Sequence, residues 1–310
     1  MKVLHRAARA GPWVLVSGLV IGLGFPSVAG IVRPLVPALV VVLLFLAALR
    51  VDPHHWGAAR VGFERALTSV LVLQCGLPLI VAILGWVTGW IGTDWLVALI
   101  MMMSAAAISS SPNMCLMLGR PPEPAMRRLV LGTALLPLTV LPVFLLVPRL
   151  GGVGPVLGAA GVLAMTIVVA TGAAIVVRST VVPTLTPDRR AALDGISAIL
   201  LAVFVVGLME AAADILLVNP TQMLGWLALA MIANFGLQFS AWSRVGRTWA
   251  GDQAVATSLI AGNRNVALFL VSLPAEVLEP LLVFIGCYQI PMYLTPLLMR
   301  RFYAQSRSAI

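Results

Sequence analysis

The sequence is poor in charged residues and in the side chains that most enzymes use for catalysis. Only 10% of its 310 residues are Asp, Glu, Lys or Arg, and it contains 3 histidines and 3 cysteines. Hydrophobic residues make up 61% of the chain, whereas soluble domains are about half apolar and about a quarter charged. The composition therefore excludes an ordinary soluble domain and predicts an integral membrane protein.

The few cysteines and histidines follow no metal-binding or disulfide pattern. Cys75, Cys115 and Cys287 lie within apolar runs and show no CxxC spacing. The adjacent His54 and His55 lack the further ligands that a zinc site requires. Phosphate-binding loops, HExxH and GxSxG motifs and paired intramembrane carboxylates are also missing. We therefore predict that the protein is not an enzyme and requires no cofactor, with a membrane enzyme as the alternative from another functional class.

Apolar runs of about 20 residues predict ten membrane-spanning helices. Their approximate ranges are 13–32, 34–49, 66–87, 95–118, 129–147, 155–177, 196–217, 223–242, 250–273 and 280–299. The first run is also compatible with a cleaved signal peptide, because positive charges precede it and small residues end it.

Positive charges are distributed asymmetrically among the connections between these runs. Of the 20 Lys and Arg residues, 17 lie in the termini and in alternate connections, 2 lie in the other connections, and Arg264 lies within a run. Because cytoplasmic loops of membrane proteins are enriched in Lys and Arg, we expect a multi-pass protein of the inner (plasma) membrane with both termini in the cytoplasm. The same distribution explains the net charge of +9 without nucleic-acid binding.

The ten predicted helices divide into two groups of five at the glycine-rich connection 151–155. An odd number of helices per group makes the two halves enter the membrane in opposite directions, as in inverted-repeat transporters. The fourth helix of each half has a polar interruption, at 109–113 and at 262–265. Pro112 is expected to break or kink the first of them. Since irregular backbone in a membrane must be buried or line a cavity, we expect the two interruptions to face each other.

Arg264 lies in the middle of the ninth run, roughly 15 to 18 Å from either end of a regular helix. A cation at that depth costs about 3 kcal/mol on insertion scales unless it faces a protein interior or a wet cavity. We therefore predict that it belongs to a functional site for an anion, with a structural role, pairing with a carboxylate or capping carbonyls across the broken fourth helix, as the alternative. The candidate substrate-binding residues are Ser110, Ser111, Pro112, Asn113, Asn263, Arg264 and Asn265.

Several features in the same order resemble the bile acid:sodium symporter family. They are Phe25-Pro26 in the first run, Gln74 with Pro78 in the third, Ser111 to Asn113 in the fourth, Thr133 with Pro137 in the fifth, and Gly262, Asn265 and Leu268 in the ninth. The resemblance implies an all-α integral membrane fold with ten transmembrane helices in two five-helix inverted repeats, whose broken fourth and ninth helices cross. It also implies a panel domain (11–50 and 151–218) and a core domain (60–148 and 219–300).

The resemblance further implies a secondary active transporter that carries a small organic anion across the lipid bilayer by alternating access, commonly with sodium. Gln74, Asn113 and Thr133 match sodium-ligand positions of the family, whereas Ile260 and Arg264 replace a glutamate and a glutamine that typically bind sodium. At a few ångströms, a guanidinium repels a sodium ion by several kcal/mol even at an effective dielectric constant near 20. We hypothesise that Arg264 is a built-in cation that either replaces one sodium ion or pairs with a carboxylate of the substrate.

Other functions stay open at this point. One is an arsenite-type efflux carrier of the same superfamily, because Cys115 lies two residues after Asn113. Another is a non-transporting membrane receptor or a channel on the same fold, which saturable counterflow of a labelled substrate would distinguish from a carrier. The short connections and the twofold repeat predict a monomer, and no nucleic-acid partner is expected.

Overall fold

The computed structural model describes residues 2–50, 60–249 and 251–304, which are helical almost throughout. These residues contain no β-strand, and their single β-bridge joins Ala107 to Arg264. The predicted all-α class is therefore confirmed. The His54-His55 pair lies outside the described residues.

Sixteen α-helices follow one another along the described chain. They are α1 Lys2–Arg9, α2 Gly11–Gly24, α3 Pro26–Val32, α4 Val36–Leu49, α5 Arg60–Leu71, α6 Leu77–Thr88, α7 Asp94–Ser104, α8 Ser111–Met117, α9 Glu123–Phe144, α10 Val153–Thr180, α11 Pro187–Val218, α12 Pro220–Val245, α13 Gly251–Gly262, α14 Ala275–Leu278, α15 Leu282–Leu298 and α16 Arg300–Ala304. Short 3-10 helices lie at Arg33–Leu35, Pro148–Leu150, Val266–Val271 and Glu279–Leu281, and a π-helical turn at Val72–Gly76 joins α5 to α6.

Several of these helices are suited to a membrane. By length and composition, 7 helical stretches of the described chain are long and apolar enough to cross one: Pro26–Leu49, Gly62–Thr88, Glu123–Phe144, Val153–Thr180, Pro187–Val218, Pro220–Val245 and Ala275–Leu298. Trp13–Gly24 and Asp94–Ser104 are apolar but shorter. Large apolar side chains such as Val168 and Ile175 on α10 are exposed, which suits contact with lipid. The protein is therefore a multi-pass membrane protein.

The chain forms two compact units. The first unit consists of Met1–Trp56 and Met165–Gly225, and the second consists of Gly57–Ala164 and Trp226–Ile310. Each unit thus combines one segment from the first half of the sequence with one from the second half.

In the first unit, the N-terminal segment folds back on itself along α11. Successive residues of α2 contact successively later residues of α11, whereas successive residues from Arg33 to Arg50 contact successively earlier ones. α2 and α4 therefore run antiparallel. The helical path is interrupted at Phe25, whereas Pro26–Leu49 is one helical stretch, so the reversal lies before Pro26 and the predicted boundary between the first two runs at Arg33 is wrong. The contacts in chain order are Gly18 with Ala202, Gly22 with Met209, Arg33 with Glu210, Val36 with Gly207 and Arg50 with Asp194.

In the second unit, two helical paths are interrupted. The first interruption begins earlier than 109–113, the position predicted from Pro112: α7 ends at Ser104, residues 105–110 are not regular helix, and α8 begins at Ser111. Pro112 is thus the second residue of α8, where its missing N–H breaks no helical hydrogen bond and its fixed φ favours the helix. The proline starts a half-helix here and does not end one.

The second interruption lies where the sequence predicts it. α13 ends at Gly262, residues 263–265 leave the helix, and the chain continues as the 3-10 helix Val266–Val271. Both interruptions belong to the second unit. The second unit therefore holds the predicted substrate-binding residues.

Candidate functional site

The two helix breaks of the second unit are hydrogen-bonded to each other. The amide of Ile108 donates to the carbonyl of Asn263 at 3.1 Å, and the amide of Asn265 donates to the carbonyl of Ala106 at 2.8 Å. The isolated β-bridge lies between these two bonds. Each break therefore satisfies backbone groups that the other leaves without helical partners. The two interruptions face each other, as the sequence predicts, and we call this arrangement the crossing.

The guanidinium of Arg264 lies inside the crossing and binds three backbone carbonyls. Its Nε donates to Ala261, its Nη1 to Ala105 and its Nη2 to Leu73, each at 3.1 Å. The residue is only 2% exposed, and no carboxylate of the described chain forms an ion pair with it. Arg264 is therefore a buried cation whose three nitrogens all have backbone partners.

These three carbonyls are free because helical hydrogen bonding fails at each of them. Ala105 follows the last residue of α7, and Ala261 lies in the last turn of α13, where carbonyls have no partner within the helix. In the π-helical turn at Val72–Gly76 the hydrogen bonds shift by one residue, so residue 78 should donate to Leu73. Residue 78 is Pro78, which has no N–H. The guanidinium thus satisfies three carbonyls that the helices leave open.

The electrostatics of the crossing favour a cation at this position. The C-terminal end of a helix carries about half a negative charge, and α7 and α13 both end at the crossing. The carbonyl oxygens of Ala105 and Ala261 carry this partial negative charge and are hydrogen-bonded to the guanidinium. Arg264 thus caps backbone carbonyls, which is one form of the structural role that the sequence analysis gives as the alternative.

Tyr288 joins the two sides of the second break. Its hydroxyl donates to the carbonyl of Gly262 and accepts from the amide of Arg264 at 3.0 Å, and the side chain is fully buried. The sequence analysis missed this residue. The available signal was a tyrosine next to a glutamine, Gln289, inside an otherwise apolar run.

Replacing Tyr288 with phenylalanine should lower the free energy of unfolding by about 1–3 kcal/mol, because it leaves the buried amide of Arg264 without a partner. The carbonyl of Gly262 keeps a second donor, the Nδ2 of Asn234. Tyr293→Phe is the matched control, since its hydroxyl contacts only Gln289 of the same helix, at 3.3 Å. Denaturant titration of the two variants in detergent measures the difference. Equal losses for both would contradict a bridging role for Tyr288.

A fully buried polar network surrounds Asn263 on the other side of the crossing. The Oδ1 of Asn263 accepts from Asn234 at 3.3 Å and from Thr295 at 3.2 Å. Gln238 donates to the Oδ1 of Asn234 at 2.7 Å. All four side chains are 0% exposed. Because each buried group has a partner, the network fixes the conformation of the second break without a ligand.

Gln74 forms a second group of buried hydrogen bonds, with residues of α9. Its Nε2 donates to the carbonyl of Gly132 at 3.0 Å and to the hydroxyl of Thr139 at 2.7 Å. Thr133, the next residue, is also buried. The structure therefore brings Gln74 and the backbone before Thr133 together, one residue away from the Leu73 carbonyl that binds Arg264. Asn113 is exposed on α8, and in the described chain no hydrogen bond joins it to Gln74 or Thr133.

The remaining candidate residues lie close to the first break. Ser110 and Ser111 have buried hydroxyl oxygens without a hydrogen-bond partner in the described chain. Pro112 is buried in the first turn of α8, and Asn265 is half-buried at the crossing. Most buried polar groups in proteins have a hydrogen-bond partner. The two unpaired hydroxyls are therefore the groups at this break that could bind a ligand.

The carbonyl oxygens at the crossing suit the fixed guanidinium better than a mobile sodium ion. A hard cation needs several oxygen ligands, and three carbonyl oxygens here already accept from Arg264. No group of three or more His, Cys, Asp or Glu side chains suited to a metal ion occurs among the described residues. Sodium binding by Gln74, Asn113 and Thr133 stays a prediction.

Cys115, the residue that raised the arsenite alternative, is 0% exposed within α8. A buried free cysteine usually serves as a small apolar packing residue. Its burial gives no support to arsenite binding.

Comparison of the sequence with known proteins shows no family for this chain. No protein-family model matches the chain, and no curated protein matches it significantly. What the protein does must therefore be inferred from the crossing and from Arg264.

Proposed function

We propose that the protein is a secondary active transporter that moves a small organic anion across a membrane by alternating access. The hydrogen-bonded pair of helix breaks in the second unit supports this proposal most strongly. Non-helical backbone at membrane depth is tolerated where it is buried or lines a cavity, and broken helices that meet at the midplane form substrate sites in transporters. The ten-helix count, the two inverted repeats and the likeness to bile acid:sodium symporters belong to the same proposal.

In this proposal Arg264 is a built-in cation. No carboxylate of the described chain pairs with its guanidinium, which instead offsets the negative ends of α7 and α13, so an anionic substrate meets no uncompensated negative charge at the crossing. Because its nitrogens are held by carbonyls, the guanidinium keeps the two breaks together and takes the place of one coupling ion. A bound sodium ion at that position is therefore unnecessary for transport.

A first screen identifies the substrate. Purified protein is melted with a panel of carboxylates, sulfates and bile salts, with and without sodium, because a ligand that binds only the native state raises the melting temperature. Labelled versions of the hits are then tested for saturable counterflow in proteoliposomes. Saturable counterflow is expected of a carrier, and its absence for every stabilising anion would leave a receptor or a channel.

Transport should not use two sodium ions, because Arg264 permanently supplies the positive charge of one of them. The stoichiometry measured with the wild-type protein in proteoliposomes should be at most about one sodium ion per substrate. Arg264→Lys keeps this charge and should retain the same stoichiometry at a reduced rate. A stoichiometry near two sodium ions per substrate in the wild-type protein would contradict the built-in cation.

A further inference from the structure

One end of the second unit carries a group of arginines that the proposed transport function does not use. This end is formed by the N-terminal parts of α5 and α9 and by the connection from α12 to α13. Arg65 on α5 and Arg128 on α9 share one aromatic neighbour. Their guanidinium carbons lie 5.9 Å and 5.8 Å from the ring centroid of Trp249.

Arg128 is a completely buried cation that forms no ion pair with any described residue. It is 0% exposed, its Nε donates to the hydroxyl of Ser69 at 3.0 Å, and its Nη1 donates to the carbonyl of Pro124 at 2.8 Å. Its Nη2 is buried and has no hydrogen-bond partner in the described chain. Burying an uncompensated charge is strongly unfavourable, and buried charges in proteins are normally paired. The position therefore calls for an anion that the described residues do not supply.

The nearby acidic side chain is engaged elsewhere. Asp252 follows Trp249 by three residues but pairs with Arg120 at 3.1 Å. No carboxylate of the described chain forms an ion pair with Arg65 or Arg128. Two guanidinium groups thus lie against one indole, and no described carboxylate forms an ion pair with either of them.

We propose that Arg128, Arg65 and Trp249 form a binding site for a phosphate group, supplied by the headgroup of an anionic phospholipid or by free phosphate. The planar fork of a guanidinium matches two phosphate oxygens, and tryptophan is enriched where membrane meets water. Basic pockets between membrane helices bind anionic headgroups. The Nη2 of Arg128 is the inner donor, Arg65 is the outer one, and the half-buried indole moves aside as the phosphate enters.

The site is tested by the effect of phosphate-bearing ligands on stability, which does not require the transport proposal to be correct. Delipidated full-length protein in a neutral detergent is melted with increasing phosphatidylglycerol, phosphatidylcholine or inorganic phosphate at constant ionic strength. Phosphatidylglycerol should raise the melting temperature, and phosphatidylcholine should not. If inorganic phosphate alone reproduces the whole shift, the ligand is the free anion and the site stands.

Arg65→Gln and Arg247→Gln form a matched pair for this titration. Arg65 makes no hydrogen bond in the described chain, and Arg247 is an exposed residue close to Trp249, so both variants should fold and both lose one positive charge. Arg65→Gln should need about tenfold more phosphatidylglycerol for the same shift, because a charge-assisted hydrogen bond is lost. Arg247→Gln should behave like the wild type.

Arg128→Lys is a second variant, which keeps the charge and removes the fork. Its melting temperature in phosphatidylcholine serves as its own baseline, because it loses guanidinium hydrogen bonds to Ser69 and Pro124, and from that baseline it should lose its response to phosphatidylglycerol. Identical titrations for Arg65→Gln and Arg247→Gln would overturn the proposal. So would the absence of a shift with both phosphatidylglycerol and inorganic phosphate.

Discussion

Arg264→Gln should lower the free energy of unfolding by about 3–5 kcal/mol, since it leaves buried carbonyls from three separate segments without donors. The three carbonyls belong to Leu73, Ala105 and Ala261. A glutamine amide is shorter and can reach one of them at most. The loss is measured by denaturant titration of the purified variant in detergent micelles.

Two further variants separate the charge from the geometry. Arg264→Lys keeps a cation at the ends of α7 and α13 but lacks the planar fork that reaches three carbonyls, so its stability should lie between the wild type and Arg264→Gln. Arg244→Gln is the control, because Arg244 is exposed and makes one contact, at 3.4 Å, to Ser240 of its own helix. If Arg264→Gln were as stable as Arg244→Gln, the guanidinium would not hold the crossing.

Gly262→Ala should be nearly as damaging, because the backbone of α12 lies against this glycine. A Cβ at position 262 would lie 2.1 Å from the carbonyl oxygen of Asn234 and 2.7 Å from the Cγ of Gln238. Backbone and a fully bonded buried side chain cannot easily move away, so a loss of about 3 kcal/mol is expected, at the upper end for overpacked cores. The free energy of unfolding and the rate of counterflow should fall together.

Gly236→Ala is the matched control for this substitution. A Cβ at position 236 has nothing within 4 Å, and alanine favours a helix interior over glycine by roughly 1 kcal/mol. The control should therefore be as stable as the wild type or slightly more stable. Similar losses for both variants would show that close packing at Gly262 does not explain the effect.

The sequence was sufficient to predict the helix breaks and their meeting. Polar residues and glycine in the middle of an apolar run disfavour a regular helix, and only mutual burial makes such breaks tolerable in a membrane. The start of the first break was not predictable. Residues 105–108 are alanines and an isoleucine without any breaking signal, and they leave the helix because Ala106 and Ile108 pair with the second break.

The partners of Arg264 were also beyond sequence reasoning. They are backbone carbonyls, which every residue possesses, and only the fold decides which of them lack helical partners. The sequence shows that Pro78 has no N–H and must leave one carbonyl without a donor. It does not show the π-helical turn, which makes that carbonyl the one of Leu73. The polar network was partly visible, because Asn234 and Gln238 are four residues apart and share one face of α12.

The N-terminal hairpin shows the opposite case, in which a local charge is misleading. A cation in an apolar run needs water or a partner, so the sequence predicts a boundary between two runs at Arg33. In the structure that partner is Glu210, at 2.9 Å. The helical stretch Pro26–Leu49 continues through Arg33, and the chain reverses before Pro26.

Disulfide cross-linking tests most directly whether the two breaks meet. In a variant whose three cysteines are replaced by serine, Ala106→Cys and Asn265→Cys should form a disulfide on mild oxidation, because opposed residues of an antiparallel pair have Cα atoms about 5.5 Å apart, within the disulfide range. The control pair, Ala106→Cys with Ser272→Cys, should stay reduced, since the 3-10 helix Val266–Val271, which separates Asn265 from Ser272, extends about 12 Å. Failure of the first pair to cross-link in folded protein, or equal cross-linking of both pairs, would contradict the crossing around Arg264.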